Sequence, residues 1–533
     1  MEQQDFVEIR IEAANRIIKA EKGRRLDQVL AESGIPLRSE CGGKGACKQC
    51  IVRYKPANNP AAEWTEGLAC RTELQDNLLL DIPARSLVNL AETIDKPWRL
   101  AKDHVLGDRA LRDGYGLAID LGTTTIAGFL CDYSRGTVTA TASTRNPQVI
   151  YGADVMSRIT AVAENSDRLF HMQSLVAAAI DQIALSLCKR QELEPARLED
   201  VVLVGNPTML HLVLGVDPTS IGRLPYDPVF KESRTMKAGT AGLTFNPVAR
   251  LTTLPLISGF VGADVLAAAL IHDLDTNGQG DLLIDIGTNG EIMINHNGRI
   301  LAASCATGPA LEGAAIRHGM VAISGAITCF SFNPQDGSAT YDLIQRRPDR
   351  PVKPRGLCGS GIVSVVASLL KGGAINGGGR LQPEASKGRF RQGRDGLDEF
   401  ILVGREDTDS GEDIVLTQKD VRQVQLAKGA ILAGIDILCR HLKITAPNRI
   451  LIAGAFGSFL KPDDLLTLGL LPPLPIDRLV TVGNAAGEGA AMAALDPDFM
   501  DRAAAIADRV EVIDLAAQPD FQETFIKALN FPQ

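Results

Sequence analysis

The sequence predicts two folded parts in series, a small α+β unit and then a large, duplicated α/β unit. Three observations carry this expectation. Four of the ten cysteines fall between Cys41 and Cys70, in a segment that reads strand, strand, helix, loop, strand. From residue 115 onward apolar strands alternate with long helices, as in α/β architectures. Finally, Leu117–Thr125 is echoed by Leu282–Gly290 at a distance too long for a solenoid period, as two large lobes built alike would give.

In order, Phe6–Ile11 and Arg16–Ala20 read as strands joined by a turn at Glu12–Asn15. Leu26–Glu32 reads as a short helix ended by Ser33, Gly34 and Pro36. A glycine-rich loop, Cys41–Cys47, leads to a strand at Cys50–Tyr54. Residues 1–84 form this first unit, and 85–114, charged and without periodicity, form a linker. The second unit is 115–533, with repeats starting near 116 and 281. Arg346–Arg355 and the glycine-rich Lys371–Asp395 read as surface excursions.

Composition narrows the function. A chain of 533 residues with 45% apolar and 22% charged residues is globular and too long for one ordinary core. Net charge is −9, aromatic residues are only 5%, and no basic stripe appears, so nucleic acid is not an expected partner. The acidic start has no apolar run of a signal peptide, and no apolar stretch reaches the roughly 18 residues of a membrane span. A cytoplasmic protein with no membrane partner is expected, and there clustered cysteines point to metal rather than disulfides.

The cysteine spacing is C-x5-C-x2-C-x19-C, through Cys41, Cys47, Cys50 and Cys70. Four thiolates satisfy a [2Fe–2S] cluster, and the plant-type pattern differs by a single residue in the first gap. Gly42, Gly43 and Gly45 let the loop curl and aim N–H groups at the sulfurs. A structural zinc site is the competing reading, but zinc ribbons usually carry two C-x2-C pairs and only Cys47 and Cys50 are so spaced. Cys131, Cys188, Cys305, Cys329, Cys358 and Cys439 lack ligand spacing and read as structural.

In each repeat an apolar strand ends in Asp, one residue, then Gly-Thr: Asp120, Gly122, Thr123 and Thr124, then Asp285, Gly287, Thr288 and Asn289. Turn N–H groups and hydroxyls can grip phosphate oxygens. The carboxylate would repel phosphate, so it is placed to hold Mg²⁺ or its water. Two such loops predict a triphosphate clamp. A third glycine cluster, Gly454, Ala455, Phe456 and Gly457, follows the strand Ile450–Ala453 and fits an adenosine contact, with the Ala/Gly-rich helix Ala485–Leu495 behind it.

These loops resemble the phosphate and adenosine motifs of the superfamily of actin, hexokinase and the heat-shock ATPases. Joined to an amino-terminal ferredoxin-like domain, the chain resembles the ATP-dependent reductive activators of corrinoid proteins. Asn146–Gln148, Tyr151–Asp154, Gly205–Met209, Ser258–Asp264, Gly308–Gly313, Leu357–Gly361 and Gly483–Ala485 extend the resemblance over nearly the whole chain. It implies a β-grasp ferredoxin fold and then a duplicated, actin-like (RNase H-like) ATPase. It also implies ATP-driven electron transfer from the cluster to a corrinoid Co(II), restoring Co(I), with an upstream low-potential donor. A cluster near −400 mV is too weak a reductant for Co(I) unaided, and a nucleotide-driven hinge answers that need. The better-known members carry a middle domain between these parts; only the short linker stands there, so a short form lacking it is expected. The cysteine-free end, Asp496–Gln533, excludes the relatives with a carboxy-terminal cluster domain.

Asp120 and Asp285 are the candidates to hold Mg²⁺ or orient water, and Glu291 and Glu312 are acid candidates near the second loop. Asn206 and Ser360 could contact either partner or nucleotide. A small-molecule kinase explains the loops but leaves the cluster idle. A nucleotide-binding redox sensor is the other rival, and a homodimer is allowed but not required.

Overall fold

The structure is a computed structural model that describes residues 6–11, 16–33, 35, 37, 45, 50–59, 61–83, 86, 112–287, 289–313, 315–320, 322–345, 351–393, 395–454 and 460–532. It divides into two compact units, residues 1–264 with 490–504, and 265–489 with 505–533. The expected turn at Glu12–Asn15, the loop cysteines Cys41 and Cys47, and nearly all of the linker lie outside the described residues.

The first unit opens with β1 (Phe6–Ile11), β2 (Arg16–Glu21), α1 (Leu26–Glu32), β3 (Ile51–Pro56), β4 (Thr65–Leu68) and β5 (Leu78–Asp81). They form one sheet in the order β2-β1-β5-β3-β4, with β1 and β5 parallel at its centre and the other pairs antiparallel. Alternation along β1 turns Val7, Ile9 and Ile11 inward, where they share a core with Leu26, Val29 and Leu30 of α1. Full burial of each such side chain is worth about 1.5–3 kcal/mol, enough to fix the register of a small domain.

The same unit continues with β6 (Tyr115–Leu121), β7 (Thr125–Asp132), β8 (Thr137–Arg145), α2 (Val155–Glu164), α3 (Asp167–Arg190), β9 (Leu198–Gly205), α4 (Pro207–Val213), β10 (Thr235–Lys237) and β11 (Arg250–Thr253), and α5 (Ala263–Ile271) then leads into the second unit. The sheet order is β8-β7-β6-β9-β11-β10. β6, β7 and β8 form an antiparallel meander, while β9 and β11 run parallel to β6.

In the second unit, β12 (Gln279–Ile286), β13 (Gly290–His296) and β14 (Arg299–Cys305) make the same meander. Next come β15 (Ala326–Phe332), β16 (Ala339–Leu343), β17 (Gly356–Leu357), α6 (Gly359–Lys371), β18 (Phe390–Gln392), β19 (Asp398–Val403), β20 (Ile414–Thr417), α7 (Gln418–Leu442), β21 (Ile450–Ala453), α8 (Pro462–Leu468), β22 (Leu479–Gly483) and α9 (Ala485–Leu495). β21 and then β22 join β12 in parallel, giving β14-β13-β12-β21-β22, the order of the first sheet's β8-β7-β6-β9-β11. The duplication predicted from two short motifs thus extends over five strands of each six-stranded sheet. α3 packs on β7 and β8 as α7 packs on β13 and β14. Covered sheets need apolar strands, and the middles of β6 and β12 are continuously buried. Lys371–Asp395, expected as an excursion, also contributes the short strand β18.

Candidate functional site

The two described cluster cysteines are brought together by a hairpin. Cys50 precedes β3 and Cys70 follows β4; Ile51 pairs with Leu68, and the Ala69 N–H donates to the Cys50 carbonyl at 2.8 Å. Both thiols are buried. Burial, followed by the neighbouring Cys50 sulfur, pushes the Cys70 thiol up to about 12. A hydrogen bond from the Gly45 N–H works the other way, lowering the Cys70 thiol. Gly45 has φ +73°, and a β-carbon there would come within 2.5 Å of Arg71 Nε, so only glycine fits without displacing that side chain. Arg25 binds the buried Asp27 through Nε (3.1 Å) and Nη2 (2.6 Å). Burial opposes the Arg25 charge, but the Asp27 pair and the fields of Cys70 and Cys50 outweigh it and raise its pKa. Two sulfurs held side by side and out of water, at the ends of paired strands, are a donor set that an iron–sulfur cluster fits.

In the first sheet, Gly122 closes the turn after β6, its N–H donating to the Thr125 carbonyl at 3.0 Å. Three side chains brace this loop. Asn146 Nδ2 donates to the Gly122 carbonyl (2.9 Å), while its own N–H reaches the Thr124 carbonyl (2.8 Å). Arg158, wholly buried on α2, donates to the carbonyls of Thr123 (2.6 Å) and Gly152 (3.1 Å) and to Gln148 Oε1 (3.1 Å). Asn206, at the end of β9, donates from Nδ2 to Thr123 Oγ1 (2.9 Å) while its Oδ1 caps α4 at the Met209 N–H (3.0 Å). The sheet explains the meeting, because Leu121 of β6 is in register with Gly205 of β9. In open α/β sheets this crevice beyond the carboxyl ends of neighbouring parallel strands is where ligands bind. Asp120 is half-buried at its edge.

The second sheet repeats the arrangement. The Gly287 N–H donates to the Asn289 carbonyl (3.1 Å), and Thr307 Oγ1 donates to the Gly287 carbonyl (3.2 Å). Asp285 lies opposite Glu291 in the β12–β13 ladder, so the two carboxylates share one face. The equivalent pair in the first sheet is Asp120 and Ala127, so Glu291 has no counterpart there. Glu312 Oε1 lies 3.9 Å from where a Gly287 β-carbon would sit, over the same loop. Asp285 is also in register with Ala453 of β21, which brings Gly454 (φ +125°) against it: a β-carbon there would lie 3.3 Å from Asp285 Oδ1. Gly454 therefore sits against the turn after β12, and its counterpart in the first sheet is Gly205. Thr288, Ala455, Phe456 and Gly457 lie outside the described residues.

Behind Gly454, whose N–H donates to the Gly483 carbonyl (3.0 Å), the first turn of α9 carries Glu488. Burial alone raises this carboxyl from 4.5 to about 8. Among the described residues no group of three or more His, Cys, Asp or Glu side chains is placed to hold a metal ion. Ser360 is buried in α6 with its hydroxyl 3.4 Å from Cys358 Sγ. Arg158, Asn146 and Glu488 were not assigned roles from sequence. Nothing in the helix pattern of α2 marks Arg158 as a loop brace.

Three families match in series: the 2Fe-2S iron-sulfur cluster binding domain at residues 9–75, the RACo middle region at 115–277, and the C-terminal domain of RACo, the ASKHA domain, at 279–533. The second match overturns the expectation of a short form lacking a middle domain. That domain is present and fills the whole first repeat. Because it carries the same sheet and the same strand–Asp–Gly–Thr turn as the ASKHA part, in sequence it reads as the first lobe of a pair. The chain is 31% identical to the corrinoid activation enzyme RamQ of Eubacterium limosum, over 95% of this chain and 96% of the relative. It is 25% identical to the [Co(II) methylated amine-specific corrinoid protein] reductase of Methanosarcina barkeri, over 78% and 77% of the two chains. A solved reductive activator for corrinoid, iron-sulfur protein covers 99% of this chain and 98% of its own length, at 27% identity and a TM-score of 0.73. No helix among the described residues is long and apolar enough to cross a membrane. An iron–sulfur domain, a middle region and an ASKHA nucleotide-binding domain, matched along nearly the full length, place this chain in the family of corrinoid activation enzymes.

Proposed function

We propose that the chain uses ATP to drive an electron from a [2Fe–2S] cluster, held by Cys41, Cys47, Cys50 and Cys70, to the Co(II) centre of a corrinoid protein of a methyltransferase system, restoring Co(I). The full-length likeness to a corrinoid activation enzyme carries this reading, because it spans the cluster domain and both phosphate-loop sheets at once. The cluster would supply a one-electron store replenished by a low-potential donor in the cytoplasm. Around it, Gly45 steadies a sulfur by its N–H, and half-buried Arg25, paired with buried Asp27, sets the local field.

At the nucleotide, Gly122, Thr123 and Thr124, with Gly287, Thr288 and Asn289, offer N–H groups and hydroxyls to phosphate oxygens. Because Asn206 donates to Thr123 Oγ1, the threonine hydroxyl keeps its own proton for a phosphate oxygen. Asp120 and Asp285 would each hold Mg²⁺ through its water shell, a mode that needs no cluster of protein carboxylates. Glu291, paired with Asp285, is the acid–base candidate for ATP hydrolysis, and Gly454, Ala455, Phe456 and Gly457 receive the adenosine. Replacing Asp120 with alanine tests the assignment. The Asp120→Ala protein should keep the visible absorbance of its cluster and lose ATP-dependent reduction of the corrinoid partner; unchanged activity removes Asp120 from the mechanism.

A further inference from the structure

Cys329, in β15, reads from sequence as one of six structural cysteines, yet among the described residues it stands apart. Cys131, Cys188, Cys305, Cys358 and Cys439 are buried, whereas Cys329 is half-exposed. Lys461, at the residue capping α8, places Nζ 2.8 Å from Cys329 Sγ. That is as short as an ordinary N–H···O bond, about 2.9 Å, although sulfur is the larger atom. Ser364 Oγ, from α6, donates to the same sulfur at 3.7 Å. The sulfur and the fields of Asp464 and Asp342 favour the ammonium form of Lys461. Sulfur and nitrogen come from separate elements and meet at a surface that dioxygen can reach. Their separation is too long for a direct bond and leaves room for one atom between them.

We propose that Cys329 and Lys461 form a reversible oxidative cross-link in which one oxygen atom bridges Sγ and Nζ, tying β15 to the start of α8. With dioxygen as oxidant the step balances as R–S⁻ + R′–NH₃⁺ + O₂ → R–S–O–NH–R′ + H₂O. The S–O and O–N bonds form, the dioxygen bond and two N–H bonds break, and four electrons pass from the pair to dioxygen. Excess thiol reverses it: four thiols give two disulfides, water, and the original pair. The inference does not depend on the function proposed above, because its readout is a covalent bond and not activity.

The test is peptide mass spectrometry on the full-length protein, kept anaerobic or held in air-saturated buffer, then alkylated under denaturing conditions and digested. The aerated wild type should yield the Cys329 peptide joined to the Lys461 peptide, with one oxygen gained and two hydrogens lost. The joined species should be absent from the anaerobic sample, disappear on treatment with dithiothreitol, and fail to form in Lys461→Arg, which keeps the charge and the thiol. Recovery of the Cys329 peptide unlinked from aerated protein, whether alkylated, as a sulfinic acid or in a disulfide, overturns the proposal. So does a linked pair without the added oxygen.

Discussion

A β-carbon at Gly122 would lie 2.6 Å from the Thr125 carbonyl oxygen, and one at Gly454 would lie 2.6 Å from that of Ile286. Both obstacles are strand backbone, which cannot swing aside as a side chain would. Gly122→Ala and Gly454→Ala are therefore expected to cost about 1–3 kcal/mol of stability and to weaken ATP binding at least ~10-fold while sparing the cluster absorbance. Calorimetric titration of ATP into each variant checks this. Glu488 gives a pH signature. Its folded pKa of about 8 against an ordinary 4.5 means that, between those values, the folded chain keeps a proton the unfolded chain has released. Its contribution to stability is fully present below about pH 4.5 and is lost as pH rises towards 8. Glu488→Gln, neutral throughout, should narrow the stability gap between pH 5 and pH 8 by on the order of a few kcal/mol, read from urea unfolding at each pH. The glycines were legible in sequence because a tight turn after a strand announces itself locally. Glu488 was not: its burial is a product of tertiary packing around α9, which no local pattern reports.

Among the elements, the junction of β9 with α4 ties the first loop to the neighbouring strand. Asn206 both caps α4 and orients the Thr123 hydroxyl. In Asn206→Asp the new carboxylate still accepts from the Met209 N–H, so the helix cap survives and stability should stay within about 0.5 kcal/mol. The same carboxylate makes the Thr123 hydroxyl a donor to it and adds a negative charge beside the phosphates. The KM for ATP should rise ~10-fold or more, and a steady-state ATPase titration decides; an unchanged KM would place the ligand elsewhere. Sequence patterning located the strand–turn–strand unit of each repeat, since β6–β7 and β12–β13 are neighbours in the chain. It did not place Gly205-Asn206 and Gly454 as equivalents, because β9 and β21 reach the central strands by long parallel crossovers that leave no local trace. The same cause hid the middle region: a domain sharing the sheet order of its neighbour looks like half of a pair.

For the whole molecule, the central claim is that phosphate chemistry in the duplicated sheets drives an electron out of the amino-terminal cluster domain. The order of parts was readable from the sequence, since four cysteines at ligand spacing and two Asp-Gly-Thr turns are far apart and chemically unlike. The extent of the parts was not, because 115–277 and 279–533 share one architecture. The claim is tested most directly by mixing the reduced protein with a Co(II) corrinoid protein under anaerobic conditions and following the Co(II) and Co(I) absorption bands with and without ATP and Mg²⁺. The expected result is rapid growth of the Co(I) band only when ATP is present. Equal Co(I) formation in both samples, or none in either while the cluster stays reduced, would contradict it.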